Sequence, residues 1–427
     1  MSYPPPLPNT ADALKPHSWP FDAALLPVEA HLVGGSVRDA LLHRQADYLD
    51  LDFVLPQRAI ATASRIAKHY KAGFVVLDEE NQIARAVFDQ ATIDFAQQVG
   101  PTLETDLQRR DFTINAIAYH PPTDQLIDPL GGIDDLKQQT LRMVCPDNLA
   151  EDPLRLLRAY RQAAQLGFLI DTETRQTIRQ LAPLLKNIAA ERVRHELDAL
   201  LSKPKGTACL RLAFEDGLLR DWLPHLTEVH FQALASVDQA LGDFAAQTDF
   251  WHQLYAWPQP VPPGHYRSWV KVAKLFCLVQ GTESDAEALL SHLKYSRHEI
   301  QAVLKVMRGQ PYTEALLGGE LSREKLFFFF KAVGKSFAAV ALTTVAQGYP
   351  LKQMLSMVAQ YENPDDPLAH PKPLLTGRDL MQQLNLTPGP QIGQLLTAVE
   401  QQQAKGSITT ADEALAWVQE QQEPEQP

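Results

Sequence analysis

Apolar and polar positions alternate in short runs along the first third of the chain. Runs such as Leu49–Leu55, Gly73–Asp78 and Thr92–Phe95 are bounded by glycine or polar turns and are typical of strands. From about residue 141 the spacing of apolar positions becomes helical, for example over Leu181–Leu201. The pattern predicts an α+β protein, in which an α/β domain with one mixed sheet precedes an all-α remainder.

The same pattern predicts the organisation of the chain into consecutive segments. They are a Pro-rich N-terminal segment that is disordered or loosely docked (1–20), the α/β domain (21–140), a helical neck (141–205), a helical body (206–320), a helical tail (321–418) and a disordered end rich in Gln, Glu and Pro (419–427).

A Gly-Gly turn and a pair of carboxylates lie close together near the start of the α/β domain. Gly34 and Gly35 follow an apolar run and precede a helix-like stretch, so helix amides there could meet an anion. Asp50 and Asp52 lie two apart in a predicted strand and therefore project from one face. Like charges side by side favour a bound cation, and oxygen ligands suit Mg²⁺. Either feature alone is usually only a turn or a solvated strand end. Together they indicate nucleotidyl transfer.

Arginines supply the second set of candidate residues. Arg110 precedes an apolar stretch and could clamp a triphosphate through its bidentate fork, although a surface ion pair with Asp111 is an equal alternative. The candidate functional residues of the segment 152–161 are one aspartate and three arginines, spaced along one stripe of a predicted helix. The members are Asp152, Arg155, Arg158 and Arg161. Pro153 fits the first helical turn, and interleaved leucines place the stripe at the mouth of a cleft rather than on a solvated face.

Three further features can be explained by a structural role as well as by a functional one. Asp94 is either a third carboxylate of the site or a structural strand-end residue, and the second is favoured. The run Phe327–Phe330 fills a helical core in preference to stacking on bases. Two helices around the Pro-Gly-Pro turn after Thr387 form either a plain hairpin or a phosphate site, at the start of the second helix near Gln391–Gly393.

Composition limits the class of protein. With 427 residues, 45% of them hydrophobic, the chain has material for two to four units with sizeable cores. No run of eighteen apolar residues and no signal-like N-terminus occur, so we expect neither membrane insertion nor secretion. Cys145, Cys209 and Cys277 are too widely spaced for a disulfide framework and suggest a reducing cytoplasm. The net charge of −12 argues against nonspecific coating of RNA.

Several sequence blocks resemble those of the tRNA nucleotidyltransferase and bacterial poly(A) polymerase family, within the DNA polymerase β superfamily. The blocks follow one another over about 165 residues. They are Gly-Gly-Ser-Val-Arg-Asp (34–39), Asp-Leu-Asp (50–52), Arg-Arg-Asp-Phe-Thr-Ile-Asn-Ala (109–116), Asp-Pro-Leu-Gly-Gly-Ile-Asp-Asp-Leu (128–136), Glu-Asp-Pro-Leu-Arg-Leu-Leu-Arg-Ala-Tyr-Arg (151–161) and Glu-Arg-Val-Arg-His-Glu-Leu (191–197).

The resemblance implies an enzyme with a polymerase-β-like nucleotidyltransferase palm, tRNA as partner and a helical tail that binds RNA. It implies that Asp50 and Asp52 are the catalytic residues and hold Mg²⁺, and that Asp152 and Arg155 read the incoming base, so that the protein acts as its own template. Gly35, Arg38 and Arg110 would bind the triphosphate of CTP or ATP. Arg158 and Arg161 would support the base-reading pair or contact phosphate.

The segment after the predicted strand around Asp94 departs from the family pattern. Members that add the full CCA end carry a longer polar loop here, whereas Ile93–Leu107 runs almost directly into the Arg109 block. The resemblance then implies addition of two cytidines only, with a separate enzyme adding the adenosine. If another loop, such as Val75–Arg85, reoriented the base-reading residues after the second cytidine, full CCA addition would instead be expected. A poly(A) polymerase and an inactive RNA-binding relative remain alternatives.

Overall fold

A computed structural model of the chain describes residues 14–44, 48–203, 205–261, 266–279, 281–318, 322–383 and 387–422. The chain divides into two compact units, one formed by Met1–Glu196 with Ala208–Trp222 and the other by Leu197–Thr207 with Leu223–Pro427. The finer division into palm, neck, body and tail stays a prediction.

The first unit is built on a mixed sheet. Its strands are β1 (His31–Val33), β2 (Leu49–Leu55), β3 (Gly73–Asp78), β4 (Ile83–Phe88), β5 (Ala91–Gln97), β6 (Ala118–His120) and β7 (Gln125–Ile127). Among the described residues the order is β3-β4-β5-β2-β1-β6-β7. β2 and β5 pair in parallel, and the other neighbours are antiparallel. The predicted single mixed sheet is therefore confirmed for residues 31–127.

Helices surround this sheet and continue beyond it. They are α1 (Gly35–Leu41), α2 (Ala59–Tyr70), α3 (Leu103–Gln108), α4 (Gly132–Lys137), α5 (Pro146–Glu151), α6 (Leu154–Leu166), α7 (Thr172–Leu181), α8 (Ala190–Leu201) and α9 (Gly206–Glu215). Two short strands, β8 (Thr140–Leu141) and β9 (Leu169–Ile170), form a separate parallel pair, which the prediction of an all-α remainder missed.

The two faces of β2 have opposite character because side chains alternate along a strand. Leu51 and Phe53 are buried on one face of the strand, where the Phe53 ring stacks on that of Phe95. Burying each such side chain contributes about 1.5–3 kcal/mol. Asp50 and Asp52 lie on the other face, where the register pairs Asp52 with Asp94 of β5. Packing of one face thus leaves both carboxylates at the opposite surface.

The N-terminal segment contributes to the apolar face of the sheet. Trp19 is buried, with its ring centroid 5.1 Å from that of Phe53 and 5.6 Å from that of Phe21. The prediction of a disordered or loosely docked segment is therefore wrong for residues 14–20, and residues 1–13 lie outside the described part of the chain.

The predicted helical run Leu181–Leu201 is interrupted. α7 ends at Leu181, a 3₁₀ segment spans Ala182–Asn187, and α8 begins at Ala190. Pro183 lies at the start of the 3₁₀ segment and has no N–H to continue an α-helical ladder. Apolar spacing alone did not reveal this break.

The regular secondary structure of the second unit is helical in its described residues. Beyond the shared ends of α8 and α9, its helices are α10 (Glu228–Gln247), α11 (Trp251–Tyr255), α12 (Trp269–Leu278), α13 (Glu283–His292), α14 (Arg297–Leu317), α15 (Arg323–Val333), α16 (Phe337–Ala346), α17 (Leu351–Glu362), α18 (Gly377–Gln383), α19 (Pro390–Lys405) and α20 (Ala411–Gln422). Phe327, Phe329 and Phe330 are buried, which confirms that the phenylalanine run fills a helical core.

The C-terminal helices form a small core of their own. Leu380 of α18, Ile392 of α19 and Ala414 of α20 belong to one buried apolar cluster, so the predicted helix pair around the Pro-Gly-Pro turn is confirmed. α20 runs to Gln422, so the predicted disordered end from 419 is wrong for residues 419–422, and residues 423–427 lie outside the description. Phosphate binding at α19 stays a prediction.

By length and composition, Arg323–Ala346 is the one helical stretch in the described residues that could cross a membrane. About two thirds of its apolar window (67%) is buried inside the protein, as core helices also are.

Candidate active site

The Gly-Gly turn, one carboxylate and one arginine meet at a single point. Gly34 has φ +77°, in the left-handed region that favours glycine. A Cβ atom at this position would lie 3.1 Å from Arg110 Nη1 and 3.6 Å from Asp52 Oδ2. The absence of a side chain at Gly34 therefore allows the guanidinium and the carboxylate to approach the turn between β1 and α1.

The two carboxylates of β2 are in different environments. Asp50 is exposed and accepts a hydrogen bond from Thr92 Oγ1 at 2.6 Å. Asp52 is half-buried, and burial, followed by the charges of Asp50 and Asp94, raises its pKa to about 7, although Arg110 and Arg158 oppose the rise. The carboxylates thus repel one another at a point that favours a cation.

Asp94 lies beside this pair but has its own partner. It occupies the middle of β5, not a strand end as predicted, and it accepts hydrogen bonds from Arg85 Nε at 2.6 Å and Nη2 at 2.8 Å. This bidentate ion pair between β4 and β5 favours a structural role over a third metal ligand.

Arg110 retains capacity to bind an anion. Its Nη2 donates to Asp106 Oδ2 at 3.2 Å, so the alternative pairing with Asp111 is wrong. Its Nε is buried and has no hydrogen-bond partner among the described residues. A buried donor without a partner is costly, and an incoming phosphate oxygen would satisfy it.

A cavity of about 310 Å³ adjoins Arg110. Arg109, Arg110 and Arg155 line it together with Val54, which lies on the same strand face as Asp52. Three arginines against the single carboxylate of Asp106 make the lining predominantly cationic. The space suits a polyanionic ligand next to the carboxylates.

Asp111 is the centre of a buried polar network that sequence reasoning missed as a site component. Its Oδ2 accepts from Arg158 Nε at 2.8 Å, and its Oδ1 accepts from Asn115 Nδ2 at 2.8 Å and from the Phe112 amide at 2.9 Å. Burial alone would raise the pKa of Asp111, but Arg158 and these hydrogen bonds hold it below its usual value. The network fixes α6 against the segment that carries Arg110.

Arg38 belongs to the same buried network. Its Nε and Nη2 donate to Asp39 at 2.9 Å each, and its Nη1 donates to Asn115 Oδ1 at 2.7 Å. All three nitrogens are therefore engaged, and the side chain is only 8% exposed. The prediction that Arg38 binds the triphosphate is not supported by this geometry. It positions α1 and Asn115 instead.

The predicted base-reading pair lies at the start of α6. The helix begins at Leu154, so Asp152 precedes it in extended backbone and does not share a helical face with the arginines, contrary to the prediction. Asp152 accepts from the Leu154 amide at 3.3 Å and from Arg192 Nη2 at 2.8 Å. Arg155 Nη1 donates to the carbonyl oxygens of Arg109 and Asn148.

The other two arginines of α6 differ in accessibility. The Arg158 side chain is 43% exposed beyond its contact with Asp111. Arg161 is largely buried and donates to Glu196 Oε2 at 2.5 Å and to Gln165 Oε1 at 2.9 Å. Arg158 can therefore face a ligand, whereas the geometry of Arg161 suits a supporting role.

The blocks that gave the family resemblance already contain the residues that the residue-level prediction omitted. Asp111 and Asn115 lie in the block 109–116, and Arg192 lies in the block 191–197. The block 128–136 has a local role: Asp128 accepts from the amides of Gly132 and Ile133 at 2.8 Å and so caps α4.

Three family models match the chain. A Poly A polymerase head domain matches residues 30–142, an RNA- and SrmB-binding site of polymerase A matches 167–229, and a tRNA nucleotidyltransferase domain 2 matches 267–418. The first of these covers the sheet and the Gly34–Asp52–Arg110 cluster. The matches confirm the fold class predicted from the sequence.

Similar proteins extend over nearly the whole chain. A CC-adding tRNA nucleotidyltransferase from Synechocystis sp. is 46% identical over 404 residues, which is 94% of this chain and 95% of the relative. An A-adding tRNA nucleotidyltransferase from Deinococcus radiodurans is 32% identical over 432 residues, which is 92% of this chain and 95% of the relative. The chain also shares its fold with a CCA-adding enzyme solved in complex with ATP, with a TM-score of 0.69 and 21% sequence identity. The similarity covers 92% of this chain and 91% of that enzyme's chain.

Proposed function

The chain belongs to the tRNA nucleotidyltransferase family, and we propose that it adds two cytidines from CTP to the 3′ end of tRNA and then stops. The observation that carries the chemistry is the convergence of Gly34, Asp52 and Arg110. The tRNA and CTP are inferred from the family, and the termination after two cytidines is inferred from the segment after β5.

Asp50 and Asp52 are proposed to hold the divalent cations, for which Mg²⁺ is the natural choice. Two crowded carboxylates, one with a raised pKa, fit a cation chemically. The described residues contain no group of three His, Cys, Asp or Glu side chains that could hold a metal alone. Mg²⁺ commonly takes one or two carboxylates and completes its shell with substrate phosphates and water, so two carboxylates suffice. When bound, the cations would lower the pKa of the tRNA 3′-hydroxyl and neutralise the triphosphate.

The protein's own residues position the reactants for an in-line displacement. The tRNA 3′-oxygen forms a bond to the α-phosphorus of CTP as the bond to the β-phosphate oxygen breaks, and pyrophosphate leaves while the hydroxyl proton passes to solvent. Arg110, with its buried unpaired Nε, is proposed to bind the triphosphate, and Gly34 and Gly35 allow the backbone to approach it. Arg38 holds the network behind them.

Asp152 and Arg155 are proposed to read the cytosine edge, as the family resemblance implies. An Asp acceptor and an Arg donor can match either cytosine or adenine after a small reorientation. The anchoring of Arg155 Nη1 on two backbone carbonyls and of Asp152 on Arg192 would hold the pair in one orientation. Arg158 is proposed to contact phosphate, and Arg161 to support α6.

The short connection between β5 and α3 supports arrest after two cytidines. β5 ends at Gln97 and α3 begins at Leu103. The Gln98 amide donates to the Leu55 carbonyl at 2.7 Å and the Val99 amide to Asp106 Oδ1 at 3.0 Å, so the connection is tied down. The alternative loop, Val75–Arg85, is part of the paired β3–β4 hairpin. We infer that neither segment is free to move and reorient the base-reading pair. A separate enzyme would then add the adenosine.

A reducing cytoplasm is the proposed location. Cys145, Cys209 and Cys277 are thiols that form no disulfide among the described residues, which fits a compartment in which disulfides are not maintained.

Carboxylate variants test the proposed chemistry. We expect Asp50→Ala and Asp52→Ala to abolish incorporation of labelled CMP into a tRNA that lacks its 3′ end, while tRNA binding stays near the wild-type value. Asp134→Ala, which removes an exposed carboxylate that pairs with Lys137, is the matched control and should retain activity. Turnover within about tenfold of wild type in either site variant would contradict the assignment.

The same assay separates the alternatives. Repeated ATP incorporation into RNAs without a tRNA fold would indicate a poly(A) polymerase. Tight tRNA binding without any nucleotide incorporation by the wild-type protein would indicate an inactive RNA-binding relative.

A further inference from the structure

A groove in the second unit combines aromatic rings with cationic side chains. It encloses about 370 Å³, and its lining includes Trp257, Trp269, Arg297, Lys305 and Lys335. The two indole rings pack together with centroids 5.0 Å apart, Trp269 buried and Trp257 partly exposed. No acidic residue is among the described residues that line it.

Local backbone geometry brings two of the cations together. Gly334 follows α15 with φ +48°, and a Cβ atom there would lie 3.8 Å from Lys305 Nζ. Lys335 follows Gly334 directly, in the 3₁₀ turn Gly334–Ser336 between α15 and α16, and both lysines line the groove. Arg297, in the first turn of α14, is exposed and lines the same groove.

Several other basic side chains of the unit have a carboxylate partner, and the groove cations differ from these. Arg308 pairs with Glu283, Lys331 with Glu400, and Lys274 with Asp238. Within the described part of the chain, Arg297, Lys305 and Lys335 have no carboxylate within 4.0 Å. In a chain of net charge −12, three clustered and uncompensated cations mark a place where an anion is accommodated.

We propose that this groove binds the ribose–phosphate backbone of the tRNA substrate at a part other than its 3′-terminal nucleotide, with a base or ribose against Trp257. The inference rests on the proposed function. Cations that contact phosphates beside an exposed aromatic face are the usual combination in nucleic-acid grooves. An acidic protein segment would satisfy the cations but would leave the indole face without a matching planar partner.

Binding of tRNA without nucleotide, measured by fluorescence anisotropy at several salt concentrations, tests the proposal. Lys305→Gln with Lys335→Gln should weaken binding and reduce the slope of log Kd against log salt by about 0.7–0.9 for each charge removed. Arg308→Gln is the matched control on α14, because its partner Glu283 lies outside the groove lining, and it should leave the slope unchanged.

A second pair of variants tests stacking. Trp257→Leu should weaken tRNA binding at least about fivefold, whereas Trp257→Phe should restore most of the affinity. Thermal unfolding of each variant shows whether the fold is intact. A loss of binding with an unchanged Tm would mean that contacts in the groove, and not folding, were lost.

The outcomes separate this inference from the proposed function. If wild type incorporates CMP and the lysine double variant binds tRNA with the wild-type Kd and salt slope, the groove inference is wrong and the function stands. If the double variant loses tRNA binding while wild type incorporates no CMP, the groove inference stands and the proposed function fails.

Discussion

Arg110 is the residue that connects the carboxylate pair to the cationic cavity. Its Nη1 approaches Gly34 beside Asp52, its Nη2 is held by Asp106, and its Nε has no partner among the described residues. A side chain anchored at one nitrogen and unsatisfied at another is preorganised for a ligand that supplies acceptors.

The pair Asp152 and Arg155 permits a test of base selection. We expect Asp152→Ala and Arg155→Ala to lower the preference for CTP over UTP and GTP by at least about tenfold, because hydrogen bonds that penalise the wrong base edge are lost. The measurement is the ratio of kcat/KM for each nucleotide with a tRNA that lacks its 3′ end.

Asp147→Ala is the control for this test, since Asp147 is an exposed carboxylate in the first turn of α5. A lower rate with unchanged selectivity in the Asp152 variant would instead mean that the residue only caps α6 and pairs with Arg192, the contacts that it makes in the structure.

At the scale of elements, the ion pair of Asp111 with Arg158 joins α6 to the segment 109–116. The carboxylate is buried, and its pKa is held below the ordinary value, so its ionised form stabilises the folded state. This contribution is fully present above the unfolded pKa of about 3.9 and is lost as the pH falls through the lower folded value.

Asp111→Asn should therefore lower the free energy of unfolding at pH 7 by roughly 1.5–3 kcal/mol, the range for hydrogen bonds to charged groups. The difference from wild type should shrink as the pH falls below about 4, because wild type then loses the same contribution. Urea unfolding at pH 7 and near pH 3.5 measures both values. A difference that does not change with pH would contradict the role given to the ionised carboxylate.

Local patterns predicted the elements better than they predicted the partners. The alternation in Leu49–Leu55 predicted β2 and its carboxylate face, and the glycine pair predicted the turn into α1. The partners of Asp111 and Arg38 lie 47 and 77 positions away, and no periodicity encodes such pairings. For the same reason the sequence predicted that Arg38 is available to bind the triphosphate, and did not reveal its partner Asn115.

At the scale of the whole molecule, charge is distributed unevenly. The net charge is −12, yet Arg109, Arg110 and Arg155 gather at the cavity of the first unit. The groove of the second unit carries three cations that have no carboxylate partner among the described residues. A negative chain with local cationic sites can bind a polyanion specifically and release it.

Product length is the measurement that tests the central claim most directly. A tRNA that lacks its 3′ end is incubated with the purified protein, CTP and ATP together, and the products are sequenced. We predict products that end in CC, and no extension of a tRNA already ending in CC when ATP is present alone, because the tied β5–α3 connection leaves the base-reading pair without a lever. Products that end in CCA without a second enzyme would contradict the restriction to two cytidines.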